Sequence, residues 1–130
     1  MSEENVEVVR RLFESYSRRD YDAAVDCLAT DVVYETGQEL PALGRDAVRA
    51  MWERWASDWE EMETVPEEFI DAGDHVVVNV HYSGRGRGSG IEFDDRLFDV
   101  YTVRDGRCVR KLEFRERSQA LEAAGLGGGA

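Results

Sequence analysis

The first half of the chain places its hydrophobic residues at helical spacing in three segments. In residues 2–18 the apolar face repeats every three or four positions and consists of Val6, Val9, Leu12, Phe13 and Tyr16. Asp20 stands where it can cap a second, shorter helix over residues 21–28. The third segment, residues 45–59, has one broad face made of Val48, Met51, Trp52, Trp55 and Trp59. These patterns predict three helices, the first two of which form a hairpin.

The remaining segments have the composition of strands. Residues 32–36, Val-Val-Tyr-Glu-Thr, predict a short strand, and residues 37–44, which include a proline, predict a loop. After the third helix we expect strands at about 64–72, 75–83, 91–104 and 107–116. The Asp105-Gly106 pair favours a tight hairpin turn, whereas the glycine-rich residues 84–90 predict a mobile connection. The acidic residues 58–63 are expected at a solvated helix end, and residues 118–124 in one or two helical turns.

This order of elements indicates an α+β fold, in which three helices pack on one curved, mostly antiparallel sheet that encloses a pocket. The length of 130 residues suits one domain, which we expect to span residues 1–126, with a flexible glycine-rich tail at 127–130. Sixteen basic and 28 acidic residues give a net charge of −12, so nucleic acid and anionic membranes are poor partners. Without a basic and apolar leader we expect a cytoplasmic protein, with Cys27 and Cys108 buried and reduced.

Several stretches, in their order and spacing, resemble the SnoaL-like branch of the nuclear transport factor 2-like superfamily. They are Leu12-Phe-Glu-Ser-Tyr16, Asp20-Tyr-Asp-Ala-Ala24, Asp31-Val-Val-Tyr-Glu35, Gly44-Arg-Asp-Ala-Val48, Ile70-Asp-Ala-Gly-Asp74 and Val103-Arg-Asp-Gly-Arg107. The resemblance covers nearly the whole chain. It implies a cone-shaped α+β barrel, a homodimer that packs sheet to sheet, and a small-molecule site without a cofactor. It does not choose among cyclases, isomerases, hydrolases, dehydratases and non-catalytic binders.

Strand alternation groups the candidate site residues by face. Asp95, Leu97, Asp99, Tyr101 and Val103 share one face of their strand. On the neighbouring strand the resemblance to ketosteroid isomerases selects the set Val77, Asn79, His81 and Ser83 as the pocket face. The set Val76, Val78, Val80 and Tyr82 is equally apolar, so the sequence leaves both orientations open.

Asp99 is the first candidate for a catalytic group because it interrupts an apolar strand, where a carboxylate must be paired or protonated. In SnoaL-like relatives an acid at this place serves as a general acid or base. His81 is expected to face Asp99 across the sheet as its proton partner. The structural alternatives are an Asp99 carboxylate that is ion-paired with Arg96, Lys111 or Arg115, and a half-buried His81 bonded to a neighbour.

The other candidates are substrate-contacting residues, namely Tyr34, Thr36, Trp52, Trp55, Asn79 and Tyr101. The tyrosines are equally consistent with packing in the core, and the tryptophans with an apolar wall that only fills space. Thr36 falls near the place of the isomerases' general base, and a hydroxyl cannot replace that base, so steroid isomerisation is not expected. The two histidines lack the spacing of a metal site.

The sequence thus predicts a protein that binds a small apolar or aromatic molecule, with or without cofactor-independent acid/base catalysis such as cyclisation, isomerisation or hydration. The alternative is a non-catalytic ligand-binding or dimeric interaction module of the same fold.

Overall fold

The computed structural model describes residues 2–37 and 39–126, so the predicted tail at 127–130 lies outside the described residues. In chain order the elements are α1 (Ser2–Ser17), α2 (Tyr21–Asp26), β1 (Leu28–Tyr34), β2 (Ala42–Leu43), α3 (Arg45–Asp58), β3 (Trp59–Ala72), β4 (His75–Gly86), β5 (Glu92–Arg104), β6 (Arg107–Phe114) and α4 (Arg117–Ala123). The predicted α+β class is confirmed, because the helices pack on a single mixed sheet.

The sheet is curved and has the strand order β2-β1-β6-β5-β4-β3. Strands β3 to β6 form a continuous antiparallel meander, and β1 pairs with β6 in parallel. The predicted hairpin turn at Asp105-Gly106 connects β5 and β6, and both residues have the positive φ that this turn requires, 53° and 78°. The sheet therefore presents one inner face and one outer face.

The inner face of the sheet packs against α1, α2 and α3 and forms the main core. Val9, Leu12 and Phe13 of α1 and Val48, Met51 and Trp52 of α3 are all buried in this core, together with Val76, Val78 and Val80 of β4. On the outer face a smaller cluster joins Val77 and Val100 to Ala120 and Ala124 at α4. The apolar faces that the sequence predicts for α1 and α3 are therefore the faces that these helices turn to the core.

The region around α2 and β1 differs from the prediction by several residues. The Asp20 side chain accepts a hydrogen bond from the Ala23 N–H at 3.1 Å, so the predicted cap is present. However, α2 ends at Asp26 rather than at residue 28, because Leu28 begins β1 beside β6. The Cys27 carbonyl accepts from the Cys108 N–H at 2.8 Å, and both cysteines are buried and free.

A second correction concerns the acidic residues 58–63, which are not a solvated helix end. Strand β3 begins at Trp59 and pairs with the far end of β4, through Trp59 opposite Gly86. A bulge with Glu61 at φ 53° follows, after which the pairing resumes at Glu63. The Trp59 ring packs edge-on against Phe93 with centroids 4.8 Å apart. This strand pairing and ring contact outweigh the local helical pattern of the sequence.

The glycine-rich segment 84–90 is mostly strand and tight turn rather than a long mobile connection. Strand β4 continues to Gly86, and only residues 87–91 separate it from β5. A Cβ atom at Gly84 would lie 2.8 Å from the Phe93 ring, so this glycine permits the aromatic side chain to pack on the strand. The predicted loop at 37–44 likewise contains a short strand, β2, that pairs with β1.

Candidate functional site

A cavity of about 360 Å³ lies between the inner face of the sheet and helices α1 and α3. Most of its lining is aromatic or aliphatic, with Leu12, Phe13, Tyr16, Tyr34, Trp52, Trp55, Trp59, Met62, Tyr82, Phe93, Leu97 and Tyr101 contributing. Its polar lining consists of Thr36, Glu39, Arg54, Asp58, Thr64, Asp95, Lys111 and Glu113. A concave, mainly apolar space with a few polar groups has the character of a small-molecule site.

The aromatic wall is held in place by ring contacts between elements. Tyr16 of α1 packs edge-on against Trp52 of α3 with centroids 5.2 Å apart, and Tyr34 of β1 packs against the same indole at 6.0 Å. Trp55 donates from its Nε1 to Glu39 at 2.9 Å, which ties α3 to the segment before β2. The wall is therefore fixed by neighbouring side chains before any ligand enters.

A polar cluster of Asp99, Tyr82 and Tyr101 lies at the closed end of the cavity. Asp99 is fully buried, and its Oδ2 accepts hydrogen bonds from the Tyr82 hydroxyl at 2.7 Å and the Tyr101 hydroxyl at 3.3 Å. The sheet register creates this cluster, because Asp99 lies opposite Val78 and Tyr101 lies opposite Val76. All of these side chains therefore point to the inner face.

Lys111 and Glu113 of β6 complete the cluster. Lys111 lies opposite Tyr101 and Glu113 lies opposite Asp99. The Lys111 ammonium donates to Glu113 Oε2 at 2.9 Å and lies 3.8 Å from Asp99 Oδ1. It also lies 4.7 Å from the centroid of the Tyr34 ring, a cation–π contact. The Lys111 ammonium is thus the cationic partner of two carboxyl groups, Asp99 and Glu113.

Burial and mutual charge shift the pKa of each group in the cluster. Burial raises the pKa of Asp99, and Lys111 and the two tyrosine hydroxyls oppose that rise. Burial also raises the pKa of Glu113, with a further rise from the Asp99 charge. The pKa of Lys111 is lowered by burial, but its carboxyl neighbours reverse this and raise it overall. Tyr82 has a pKa well above its ordinary value because of burial and Asp99. The cluster therefore holds protonated phenols and a charged lysine near neutral pH.

Asp99 itself does not line the cavity. Its carboxylate lies behind the tyrosines, whereas Tyr82, Tyr101, Lys111 and Glu113 all contribute to the lining. A molecule in the cavity would therefore meet the tyrosine hydroxyls and the Glu113 carboxylate, and Asp99 would act on it only through the tyrosines.

The other predicted site residues fall into two groups, those that line the cavity and those on the outer face of the sheet. Tyr34, Thr36, Trp52, Trp55 and Tyr101 all line the cavity. The remaining two, Asn79 and His81, belong to the opposite face of β4, because Val76, Val78, Val80 and Tyr82 are the set that faces the helices.

The predicted pairing of His81 with Asp99 is therefore wrong. The strand register puts His81 opposite Arg96 on the outer face, and its Nε2 lies 2.7 Å from Asp94 Oδ1. Asn79 is likewise carried away from the cavity by the alternation of β4. Of the alternative cations for Asp99, Lys111 is in contact, whereas Arg96 pairs with Glu67.

Glu113 and Tyr82 are not among the residues predicted to contact substrate, and Lys111 is predicted only as one possible cation for Asp99. One sequence pattern points to Lys111 and Glu113. They alternate in the strand after the Asp105-Gly106 turn, so their side chains lie on the same face of the sheet as Tyr101 and Asp99, which they pair with. Among residues 2–37 and 39–126 no group of histidine, cysteine and acidic side chains could hold a metal ion, and no helix there has the length and apolarity to span a membrane.

The fold and cavity define the class of protein, a cone-shaped α+β domain with a cavity between the sheet and the helices. A model of the SnoaL-like domain matches residues 9–111, and the chain therefore belongs to the SnoaL-like family. No curated protein matches the chain.

Solved structures share this fold over nearly their full length. An NTF2-like protein of unknown function from Burkholderia pseudomallei K96243 is 24% identical, with a TM-score of 0.76 over 92% of this chain and 95% of that one. A protein named as a SnoaL-like polyketide cyclase from Jannaschia sp. CCS1 is 23% identical, with a TM-score of 0.76 over 93% and 90%. TerC, co-crystallised with polyporic acid, is 20% identical, with a TM-score of 0.75 over 94% and 98%.

Proposed function

We propose that this chain binds a small apolar or aromatic molecule in the cavity and catalyses a proton transfer on it without a cofactor. The observation that carries the proposal is the cavity itself, whose aromatic wall leads to a buried cluster of ionisable groups. Such a combination of apolar space and perturbed ionisable groups is typical of acid/base sites. The similarity to a protein named as a polyketide cyclase, and to TerC co-crystallised with polyporic acid, agrees with this class of function.

In this proposal Glu113 is the group that exchanges protons with the bound molecule. It lines the cavity, and burial raises the pKa of its carboxyl group above the ordinary value. The Tyr82 and Tyr101 hydroxyls, which donate to Asp99, accept hydrogen bonds from O–H or N–H groups of the ligand and so orient it. Asp99 is a positioning residue, since it holds both hydroxyls from behind. His81, on the outer face, has no part in this arrangement.

A non-catalytic ligand-binding protein is the second candidate, and one observation favours it. The hydroxyls of Tyr82 and Tyr101 and the ammonium of Lys111 all interact with carboxyl groups of the cluster itself, Asp99 and Glu113. A self-contained cluster of this kind can be structural, with the cavity used only for binding.

Binding can be tested by titration calorimetry with 2-naphthol, a neutral aromatic probe. Leu97→Trp, which fills the cavity from a buried lining position, is expected to abolish the binding. Leu43→Trp is the matched control, since residue 43 is exposed and lies outside the cavity lining, and it should bind as the parent does. Absence of heat with the parent protein, or equal binding by both variants, would contradict the binding proposal.

Catalysis can be tested with 2-tetralone, an aromatic ketone with acidic α-hydrogens, by NMR in D₂O. The Glu113 carboxylate would remove an α-proton and, after exchange with solvent, return a deuteron to the same carbon. Glu113→Gln should reduce the protein-dependent exchange at least about a hundredfold without loss of binding. His81→Ala should leave the exchange unchanged. Binding without any exchange by the parent protein would favour the non-catalytic candidate.

We also propose that the chain forms a homodimer through its sheet, as the family resemblance implies. The outer face of the sheet carries Asn79 and His81, whose side chains are only partly buried in the single chain. Sedimentation equilibrium at micromolar concentration should give twice the mass of 14.8 kDa. A monomer under those conditions would contradict the proposal.

A further inference from the structure

The two tyrosine hydroxyls at the closed end of the cavity are already engaged by the protein. The hydroxyls of Tyr82 and Tyr101 both donate to Asp99 Oδ2. The Lys111 ammonium donates to Glu113 and faces Asp99 Oδ1 and the Tyr34 ring. A phenol has one O–H donor and two lone pairs, so engaged hydroxyls have only lone pairs left to offer. These two hydroxyls therefore present acceptors rather than donors to a bound molecule, and the donors left in the lining include Trp52 Nε1, which has no hydrogen-bond partner among the described residues.

The cluster at this closed end also has more acceptors than its donors can satisfy. Asp99 is fully buried, and its Oδ1 accepts no hydrogen bond from any described residue. Two carboxyl groups, Asp99 and Glu113, share the single Lys111 ammonium. A buried acceptor without a partner is costly, and a donor on a ligand in the adjoining cavity would lower the negative potential that surrounds it.

Negative charge also exceeds positive charge along the cavity lining. Four carboxylate side chains and two cationic side chains contribute to it, namely Glu39, Asp58, Asp95 and Glu113 against Arg54 and Lys111. Glu39 is paired with Arg54, and Glu113 with Lys111. Within residues 2–37 and 39–126, the Asp58 and Asp95 side chains are exposed, and their carboxylates make neither an ion pair nor a side-chain hydrogen bond. Two uncompensated carboxylates thus face the cavity.

The aromatic wall acts in the same direction as these carboxylates. Ring faces carry negative charge density, and indoles attract cations most strongly. All three tryptophans of the chain line the cavity, together with Tyr16 and Phe93. The contact between the Lys111 ammonium and the Tyr34 ring is an example of this attraction within the same cavity.

From the engaged tyrosine hydroxyls, the unpaired carboxylates and the aromatic wall, we infer that the cavity selects a small molecule with a cationic amine on an apolar or aromatic body, in preference to neutral or anionic molecules of the same shape. This inference rests on the proposed binding function and names the class of its ligand.

Three probes of nearly equal shape test the inference by quenching of tryptophan fluorescence. They are N,N-dimethylbenzylamine, which is protonated at neutral pH, isobutylbenzene, which is neutral, and phenylacetate, which is anionic. At pH 7 the amine should bind at least about tenfold more tightly than isobutylbenzene, and phenylacetate most weakly. The preference for the amine should shrink as salt concentration rises.

Two substitutions separate charge from shape. Asp95→Asn should weaken binding of the amine at least about threefold and leave isobutylbenzene unchanged. Asp94→Asn is the matched control, because it removes the same charge from the adjacent residue, which pairs with His81 on the outer face. It should leave binding of both probes unchanged. Equal affinity for the three probes, or tightest binding of phenylacetate, would overturn the charge inference and leave the binding function standing. Failure of all three probes to bind would overturn both the charge inference and the proposed binding function.

Discussion

Replacement of Lys111 by methionine tests the central feature of the site, the single ammonium that two buried carboxyl groups share. Lys111 is 1% exposed, and methionine keeps the length and apolar stem of the side chain while removing its charge. The substitution leaves Asp99 and Glu113 buried without a cation. We expect the folded state to be destabilised strongly at neutral pH.

The size of the effect follows from the distances. At an effective dielectric constant of about 20, unit charges 3.8 Å apart, as for Lys111 and Asp99, attract by about 4 kcal/mol. Removal of one partner of a buried pair is known to cost about 3–5 kcal/mol, since the remaining charge has no compensation. For a domain of this size that loss lowers the melting temperature by about 12 °C or more.

The loss is expected to depend on pH with a definite sign. Burial already raises the pKa of Asp99 and of Glu113, and removal of the lysine raises both further. Groups whose folded pKa is raised stabilise the fold fully below their unfolded pKa of about 4, and this stabilisation is lost as pH rises through the folded pKa. The cost of Lys111→Met should therefore be smaller at pH 5 than at pH 8.

Urea unfolding followed by circular dichroism at the two pH values measures this cost. Arg110→Met is the matched control, because it removes one positive charge from the next residue, which is exposed and pairs with Glu35 on the outer face. Its cost should stay below about 1 kcal/mol. A triple variant, Lys111→Met with Asp99→Asn and Glu113→Gln, should recover most of the lost stability. If Lys111→Met costs less than about 1 kcal/mol at pH 8, or costs the same at both pH values, the description of the cluster is wrong.

Four further outcomes are expected from other parts of the fold. Asp20→Ala removes the α2 cap and should cost about 1 kcal/mol by thermal unfolding, whereas Asp20→Asn should cost much less. Gly44→Ala should cost about 1–2 kcal/mol, because φ is 91° at this residue, and no loss would show that the backbone there relaxes freely. The Cys108 thiol, whose pKa is raised by burial, should react with a thiol reagent only after unfolding. His81→Ala should change stability by less than about 1 kcal/mol, since its contact with Asp94 is at the surface.

Local patterns predicted most of the secondary structure. The three-to-four spacing of apolar residues in α1 and the Asp105-Gly106 turn each depend on short-range chemistry, and the structure has both where the sequence puts them. The prediction that Trp59 belongs to the third helix is wrong. Its position continues the helical spacing of Trp52 and Trp55, but it is the first residue of β3. Only its pairing with Gly86 and its contact with Phe93, both distant in sequence, make it a strand residue.

The orientation of β4 could not be predicted because both of its faces are apolar enough to be buried. The resemblance to ketosteroid isomerases predicts the face that carries His81 as the pocket face, and the structure puts His81 on the outer face. The role of Lys111 was equally hidden, since lysine is rarely buried and a sequence pattern gives no reason to expect it in a core. Its burial becomes understandable only when the register of β5 and β6 sets it between Tyr101 and two carboxyl groups.

The parallel pairing of β1 with β6 has a consequence for how the molecule folds. This pairing joins Leu28 to Cys108, about 80 residues apart, whereas β3 to β6 pair with their neighbours in sequence. Contacts of such long range form late and slow the folding reaction, because the intervening chain must first be ordered. During synthesis, α1, α2 and β1 must therefore wait for the last strand before the cavity can close around the aromatic wall. We expect the meander of β3 to β6 to be structured in the transition state and β1 to join it afterwards.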